Sequence, residues 1–304
     1  MRSRILGLMM CMFMLCAGAA AEEKLQIICT DFPCYDLMRQ AAGDRAEVTM
    51  LLKPGVEAHA YEPAPAEIVA IGEADLFVYI GGESDAWADG ILSGFDGAEG
   101  PATLRMMDCV EALIEEEADE HVHGSSDAPE YDEHIWTSPR NAARMAQAAG
   151  EALSAVDPAC AEVYRQNASA YADEIAEIDR EIGEIVKNAK RKTLVFADRF
   201  PFVYFTRDYG LDYLAAFPSC TADTEPSAQI VMSLIQKVVS DRIPAIYCIE
   251  MSTQSIAKTV AEETGAEILT LQSMQTVSQD DFSAGKSYVS IMRENIEALR
   301  KGLN

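Results

Sequence analysis

Short runs of apolar, β-branched residues alternate along this chain with stretches whose apolar positions recur at helical spacing. LQIICTDF predicts a strand ending near Asp31, YDLMRQAAGD a helix stopped by Gly43, AEVTMLL a second strand, PAEIVAIGEAD a helix, and LFVYIGG a third strand closed by two glycines. Strands that alternate with helices build a largely parallel sheet, because a parallel neighbour is reached only through a crossover. Loops at the carboxyl ends of such strands form the usual ligand-binding edge. The loop KPGVEAHAYEPAP follows the second strand and carries His59 between Pro54 and Pro63.

After ATLRMMDCVEALI the chain turns polar and acidic in EEEADEHVHGSSDAPEYDEH, a composition with loop residues throughout. Regular structure resumes at SPRNAARMAQAAGEAL, where Ser138 is placed to cap a helix and Pro139 suits its first position. From Asp157-Pro158 to Lys190 no further proline interrupts, and Val163, Ala170, Ile175, Ile178, Ile182 and Ile185 keep helical spacing. A helix of roughly 30 residues is about 45 Å long, enough to join two lobes. The alternation then repeats. KTLVFAD, LDYLAAF, AIYCIE and AEILTL read as strands, and FPFVYFTRDYG, EPSAQIVMSLIQKVVSD, STQSIAKTVAEETG and YVSIMRENIEALRKGL as helices. The expected fold is α/β, with two sandwich lobes whose sheets are mainly parallel. The expected boundaries are a first lobe over 22–155 with an acidic loop at 115–133, a linker helix over 156–190 and a second lobe over 191–304. No sequence repeat links the halves.

The first 21 residues read as an export leader: Arg2 and Arg4 precede an apolar run from Ile5 to about Ala17, followed by AGAAAEEK. The run is short for a membrane span, and cleavage after Ala21 puts Ala19 and Ala21 in the two small positions. Cys16 offers a lipid anchor as a rival, but Met14 and Leu15 precede it where a small residue usually stands. Export to a periplasm or an extracellular surface is the expected localisation.

The formal net charge is −26, from 50 acidic and 24 basic residues. With no run of lysines and arginines to neutralise phosphates, nucleic acid and anionic membrane surfaces are poor partners. An acidic exterior suits cations without locating a site for one. Of the eight cysteines, Cys29, Cys34, Cys109, Cys160, Cys220 and Cys248 lie beyond the leader. Outside the cytosol they can pair, in connectivities the sequence does not choose among, or stay as buried thiols. No C-x-x-C occurs, so a thiolate zinc cluster or a thioredoxin-type site has little support.

Only four histidines serve the whole chain. His121 and His123 read as members of a solvated acidic loop with weak affinity for cations. His134 differs, because Ile135-Trp136 and a helix start follow it directly and an aromatic neighbour can fix its ring. One histidine on each of two loops, His59 and His134, makes half a metal site: imidazole suits zinc, manganese and iron, and nearby carboxylates supply oxygen ligands. There is no G-x-S-x-G, P-loop, G-x-G-x-x-G or H-E-x-x-H, so common nucleophile, nucleotide and metalloprotease signatures are missing.

Two motifs carry a resemblance to a known family. PGVEAHAYEP is similar to P-G-x-x-P-H-x-[FY]-E-P, and DEHIWTSPRNA is similar to D-P-H-x-W-x-[DS]-P-x-N-A, patterns of the solute-binding proteins of metal-ion ABC importers. TEPSA, with Glu225 to Ala228, IYCIE ending at Glu250, and YVSIMRENIEAL match further along, so the resemblance covers essentially everything after the leader. It implies two α/β lobes joined by one long, rigid helix, with the metal held between them. It also implies His59 as first ligand and His134 as second, and the acidic loop stands where many members carry a histidine-rich one. The function implied is capture of a divalent transition metal without catalysis: zinc first, with manganese or iron as alternatives. The implied partner is an ABC importer permease, served by a monomer that stays out of the bilayer.

The second lobe departs from the pattern. RFPFVYFTRDYG resembles H-x-x-F-x-Y-F-x-x-x-Y-G but puts Arg199 where members carry His or Glu, and the terminal aspartate of L-D-x-[LI] aligns with Gln272 in TLQSMQ. A guanidinium has no lone pair to offer, and an amide oxygen binds transition metals weakly. Asp198 and Glu250, each at a strand end, are the expected replacement ligands. Against this, Asp198 can pair with Arg199, and Glu250 can orient an imidazole from behind. Met274 and Cys220 are softer candidates for which packing is the plainer role. Two other functions stay open: an exported metal-dependent hydrolase, and a protein holding an anionic ligand or metal chelate on Arg199. Imidazoles bind metal only when deprotonated, so affinity is expected to fall as the pH drops through about 6.5.

Overall fold

Asp31 does not simply end a strand; it caps a helix. Its side chain accepts a hydrogen bond from Cys34 N at 3.0 Å, and Pro33 stands in the first turn, where a missing N–H leaves nothing unpaired. The computed structural model describes residues 24–95, 100–113, 131–217 and 226–304. The leader with Cys16, most of the acidic loop with His121 and His123, and Cys220 and Glu225 lie outside the described residues.

The first lobe runs β1 (Leu25–Cys29), α1 (Phe32–Ala42), β2 (Ala46–Met50), α2 (Pro65–Glu73), β3 (Leu76–Tyr79), α3 (Ala86–Ser93) and β4 (Ala102–Arg105). Two antiparallel helices follow, α4 (Pro139–Val156) and α5 (Ala161–Asn188). The second lobe runs β5 (Thr193–Phe196), α6 (Val203–Tyr209), β6 (Asp212–Ala215), α7 (Ala228–Asp241), β7 (Ala245–Cys248), α8 (Ser255–Thr264), β8 (Glu267–Thr270), α9 (Gln279–Ser283) and α10 (Tyr288–Leu303). The apolar pattern misses β4 because it is an edge strand whose side chains are mostly exposed.

Every strand pairing is parallel, and the two sheets have the same order, β2-β1-β3-β4 and β6-β5-β7-β8. Each therefore has a switch point beside its first strand, between β1 and β3 and between β5 and β7, where a crevice opens at the carboxyl ends. Strand periodicity sorts the core into layers. Ile27, Cys29, Leu194 and Phe196 face an inner cluster, whereas Ile28 with Phe77 and Val195 with Ile246 face the outer helices. The inner cluster is continuous: it runs from Leu37 and Trp136 through Ile175 and Ile182 to Tyr247, Tyr288 and Leu299, so both lobes share it.

α5 has 28 residues and a length of about 42 Å. Its buried stripe is led by Tyr164, Ala168 and Tyr171 and continued by Ile175, Ile178 and Ile182, while Val163 and Ala170 point to solvent. The aromatic residues thus set the phase of the first turns. Gly150 lets α4 approach this stripe: a Cβ there would stand 2.5 Å from Ala168 Cβ and 3.1 Å from Tyr164 O. Gly150→Ala is expected to cost about 1–3 kcal/mol by forcing the helices apart, seen as a lower denaturant midpoint with unchanged slope. An unchanged midpoint would show that the pair can spread freely.

A buried carboxylate ties the lobes together behind the cleft. Asp36 on α1 has 0% exposure and accepts from Tyr171 Oη at 2.5 Å, Tyr288 N at 2.8 Å and Arg39 Nε at 2.8 Å. Arg39 in turn donates to Lys286 O at 2.6 Å. Three elements, α1, α5 and the start of α10, meet on this one side chain.

Candidate metal centre

The loop bearing His59 is held from both sides. Glu67 accepts from Ala64 N at 2.7 Å and from Tyr61 Oη at 3.0 Å, and the Tyr61 ring meets Trp87 edge-on with centroids 5.9 Å apart. From the second lobe, Thr276 Oγ1 accepts from Gly55 N at 3.0 Å. His134 opens the 3-10 turn Ile135–Thr137, whose Thr137 N and Oγ1 both donate to His134 O. The turn leads into Ser138, whose Oγ accepts from Asn141 N at 3.2 Å to cap α4 as expected. Tyr204 on α6 reaches across, donating to Asp132 O at 2.7 Å and accepting from Leu113 N at 2.9 Å.

These two segments bring His59 and His134 together, with ring centroids 6.0 Å apart. Glu133 joins them: one ligand atom from each of His59, Glu133 and His134 lies within 4.8 Å of the others, a grouping of metal-binding dimensions. Asp132 Oδ1 accepts from His134 N at 2.8 Å and lies 3.2 Å from His134 Nδ1. This leaves Nε2 as the nitrogen able to face a metal, the usual carboxylate–histidine arrangement. The Trp136 ring lies 5.4 Å from that of His134, and its Nε1 donates to Ser273 O at 2.7 Å in the second lobe. Gly82 makes room for Glu133, since a Cβ there would fall 2.2 Å from Glu133 Oε2.

Burial is the largest influence on His59 and lowers its pKa from the ordinary imidazole value. His134 and Arg199 act in the same sense, while Glu133 and Glu57 pull upward. Next to the site, Asp31 and Asp85 line a small crevice together with Glu133, Trp136 and Gln275. Burial pushes Asp31 up to about 7 and Asp85 up to about 6, the latter against hydrogen bonds from Ile80 N and Gly81 N that lower it.

The second-lobe carboxylates are not part of this group. Asp198 Oδ1 accepts from Arg199 N at 2.9 Å and its Oδ2 from Ile249 N at 3.3 Å, joining the ends of β5 and β7 at the second switch point. Glu250 is half-buried and accepts from Ser273 N and Ser273 Oγ, each at 2.6 Å; burial raises its pKa while those bonds oppose the rise. Arg199 spans the cleft mouth instead, with Nη1 3.1 Å from Glu57 Oε2. Gln272 turns away to donate to Glu294 on α10 at 2.8 Å. The side chain that faces His59 is Gln275, whose Nε2 is 3.1 Å from His59 Nε2. Met274, buried and at φ 64°, reverses the chain just before it.

Glu133, Ser84 and Gln275 thus line the candidate site although no motif in the sequence singles them out. Glu133 had a visible signal, since it stands next to His134 where the family pattern has proline. Gln275 had none, because loop spacing depends on the reversal at Met274. The described cysteines, Cys29, Cys34, Cys109, Cys160 and Cys248, are all free thiols.

Two parallel-sheet lobes, a long helix behind them and grouped metal-competent donors in the cleft define a two-lobed α/β protein of the solute-binding class. Residues 27–302 match the family described as ZnuA, zinc-uptake complex component A, periplasmic, and the chain belongs to that family. It is 32% identical over 284 residues to the zinc-binding lipoprotein AdcA of Streptococcus pneumoniae, covering 92% of this chain and 56% of the relative. It therefore spans little more than half of that protein. The high-affinity zinc uptake system protein ZnuA of Bacillus subtilis is 28% identical, with coverage of 92% and 88%. The crystal structure of the Zn(II)-bound ZnuA-like domain of Streptococcus pneumoniae AdcA superposes with a TM-score of 0.77 at 30% identity, covering 92% of this chain and 99% of that one.

Proposed function

We propose that this chain is an exported binding protein that captures a divalent cation, zinc first, and passes it to a membrane importer of the ABC type. The observation that carries the reading is the grouping of His59, Glu133 and His134 within 4.8 Å. Two imidazoles, which are borderline donors, beside a single hard carboxylate suit zinc better than manganese, which favours oxygen-rich sites. The names of the relatives from Streptococcus pneumoniae and Bacillus subtilis point to the same metal. No helix among the described residues is long and apolar enough to cross a membrane; in this reading the carrier is a monomer that hands its ion to a separate permease. The working unit comprises the lobes over 22–155 and 191–304 with the helix region 156–190 between them, and it carries out no catalysis of its own.

His59 and His134 are the ligands in this reading, with Glu133 beside them. Glu250 acts from behind by clamping Ser273, which positions Gln275 against His59 and receives Trp136. Asp198 acts further back, as a tie between strand ends. Calorimetry and metal analysis on the chain from residue 22 test the proposal: one equivalent of zinc is expected to bind, with manganese weaker. Retention of no transition metal would end it.

The lowered pKa of His59 moves proton competition downward from the value for a free imidazole. Zinc affinity is therefore expected to hold as the pH falls to about 6.5 and to decline only below it. A competition titration between about pH 5 and 7.5 checks this. A decline that sets in above about 6.5 would contradict the lowered pKa of His59.

A further inference from the structure

Ser84 follows β3, near the turn that precedes α3, and touches both His59 and Glu133. Its Oγ lies 2.7 Å from His59 Nδ1 and also hydrogen-bonds to Glu133 Oε1, while its backbone N donates to Glu133 Oε2 at 2.9 Å. A hydroxyl has one proton. Between a carboxylate and a ring nitrogen that proton goes to the carboxylate, since otherwise two oxygens would face each other in close contact with no hydrogen between them. The hydroxyl then accepts from His59, so Nδ1 carries the hydrogen and Nε2 the lone pair. Gln275 fits the same assignment from the opposite side, because its amide Nε2 is a donor 3.1 Å from His59 Nε2.

We infer that Ser84 is a positioning residue for metal capture: it relays Glu133 to His59 Nδ1 and so fixes the imidazole with its Nε2 lone pair toward the cleft. The inference rests on the proposed reading of His59 as a ligand. Asp132 does for His134 directly what Glu133 does for His59 through a hydroxyl, so each imidazole has its own carboxylate. Each Glu133 oxygen accepts one bond from Ser84 and keeps a second lone pair, so the carboxylate can hold Ser84 and still face a cation. Without the hydroxyl, Nδ1 and Glu133 Oε1 stand 3.4 Å apart, and the ring keeps only the Gln275 contact on its other edge, which leaves it freer to turn or change tautomer. The amide of Gln275 occupies the lone pair that a metal requires. Capture therefore has to displace a contact between the lobes, and only a ring of fixed tautomer presents that lone pair every time.

The test compares the full chain with Ser84→Ala and Ser84→Thr, using zinc against a chromophoric chelator and nitrogen NMR of the labelled imidazoles without metal. Loss of a partner behind a ligating histidine typically costs about 10–100-fold in affinity. Ser84→Ala is expected to lose that much, and Ser84→Thr, which keeps the hydroxyl, to recover most of it. In the metal-free wild type the unprotonated nitrogen of His59 is expected to be Nε2, with mixed tautomers in Ser84→Ala. Equal affinity in Ser84→Ala, or weakened affinity with an unchanged tautomer, would overturn the inference. If the wild type bound no zinc, the functional reading would fail instead, and the metal-free tautomer would still decide what Ser84 does.

Discussion

His134→Ala is expected to lower zinc affinity by more than about 100-fold, and His59→Ala to do the same. Partners that merely orient a ligand are worth about 10–100-fold, so loss of a donor atom exceeds that range. Each variant leaves a single imidazole beside Glu133, and neither Arg199, paired with Glu57, nor Gln272, turned toward Glu294, stands ready to replace it. The His134 variant also removes the ring against Trp136, so its thermal midpoint must be recorded beside its affinity. If both variants bound zinc within about threefold of wild type, less than 1 kcal/mol, the cation would have to sit elsewhere.

The largest effect on stability is expected behind the cleft. Asp36→Ala leaves the Tyr171 hydroxyl and Tyr288 N without their shared acceptor in a fully buried position. The cost is about 3 kcal/mol or more, because the abandoned donors stay buried and Arg39 loses its paired charge. Arg39 is partly exposed, which moderates its share. Chemical denaturation reads the loss directly. Because α1, α5 and α10 meet at this carboxylate, the variant is expected to broaden the transition as the lobes begin to unfold separately. A sharp transition at the wild-type midpoint would show that the shared core alone joins them.

Most of the fold was legible because its central strands are largely buried on both faces and its helices are amphipathic. The runs at β1, β3, β5 and β7 are nearly all apolar, and Ser138, Gly43 and Gly210 mark helix ends as their chemistry dictates. Where one face is exposed the signal fades, as at β4, and where tyrosines carry the packing the phase of a helix is misread, as at the start of α5. The site divides along the same line. His59 and His134 stand out as rare residues in specific motifs, and the structure sets them side by side. The partners facing them depend on how an irregular loop folds. Gln272 and Gln275 are three residues apart, yet one turns to α10 and the other to the cleft, and only the backbone reversal at Met274 decides between them.

The unbroken inner core gives the molecule the mechanics of a spring clip. Its spine is stiff, since helices and sheets of both lobes pack into one cluster that cannot be parted without exposing large apolar side chains. Among the described residues, polar contacts also join the jaws: Gly55 to Thr276, Glu57 to Arg199 and His59 to Gln275 near the tips, Trp136 to Ser273 and Tyr204 to Asp132 beside them. The Glu57–Arg199 pair, 45% and 31% exposed, adds at most about 1 kcal/mol. A captured ion at a hundredfold excess over its dissociation constant contributes about 2.7 kcal/mol, as much as two or three such hydrogen bonds at about 1 kcal/mol each. On the proposed function, loading therefore adds its contacts at the tips, while the core that both lobes share is left as it is.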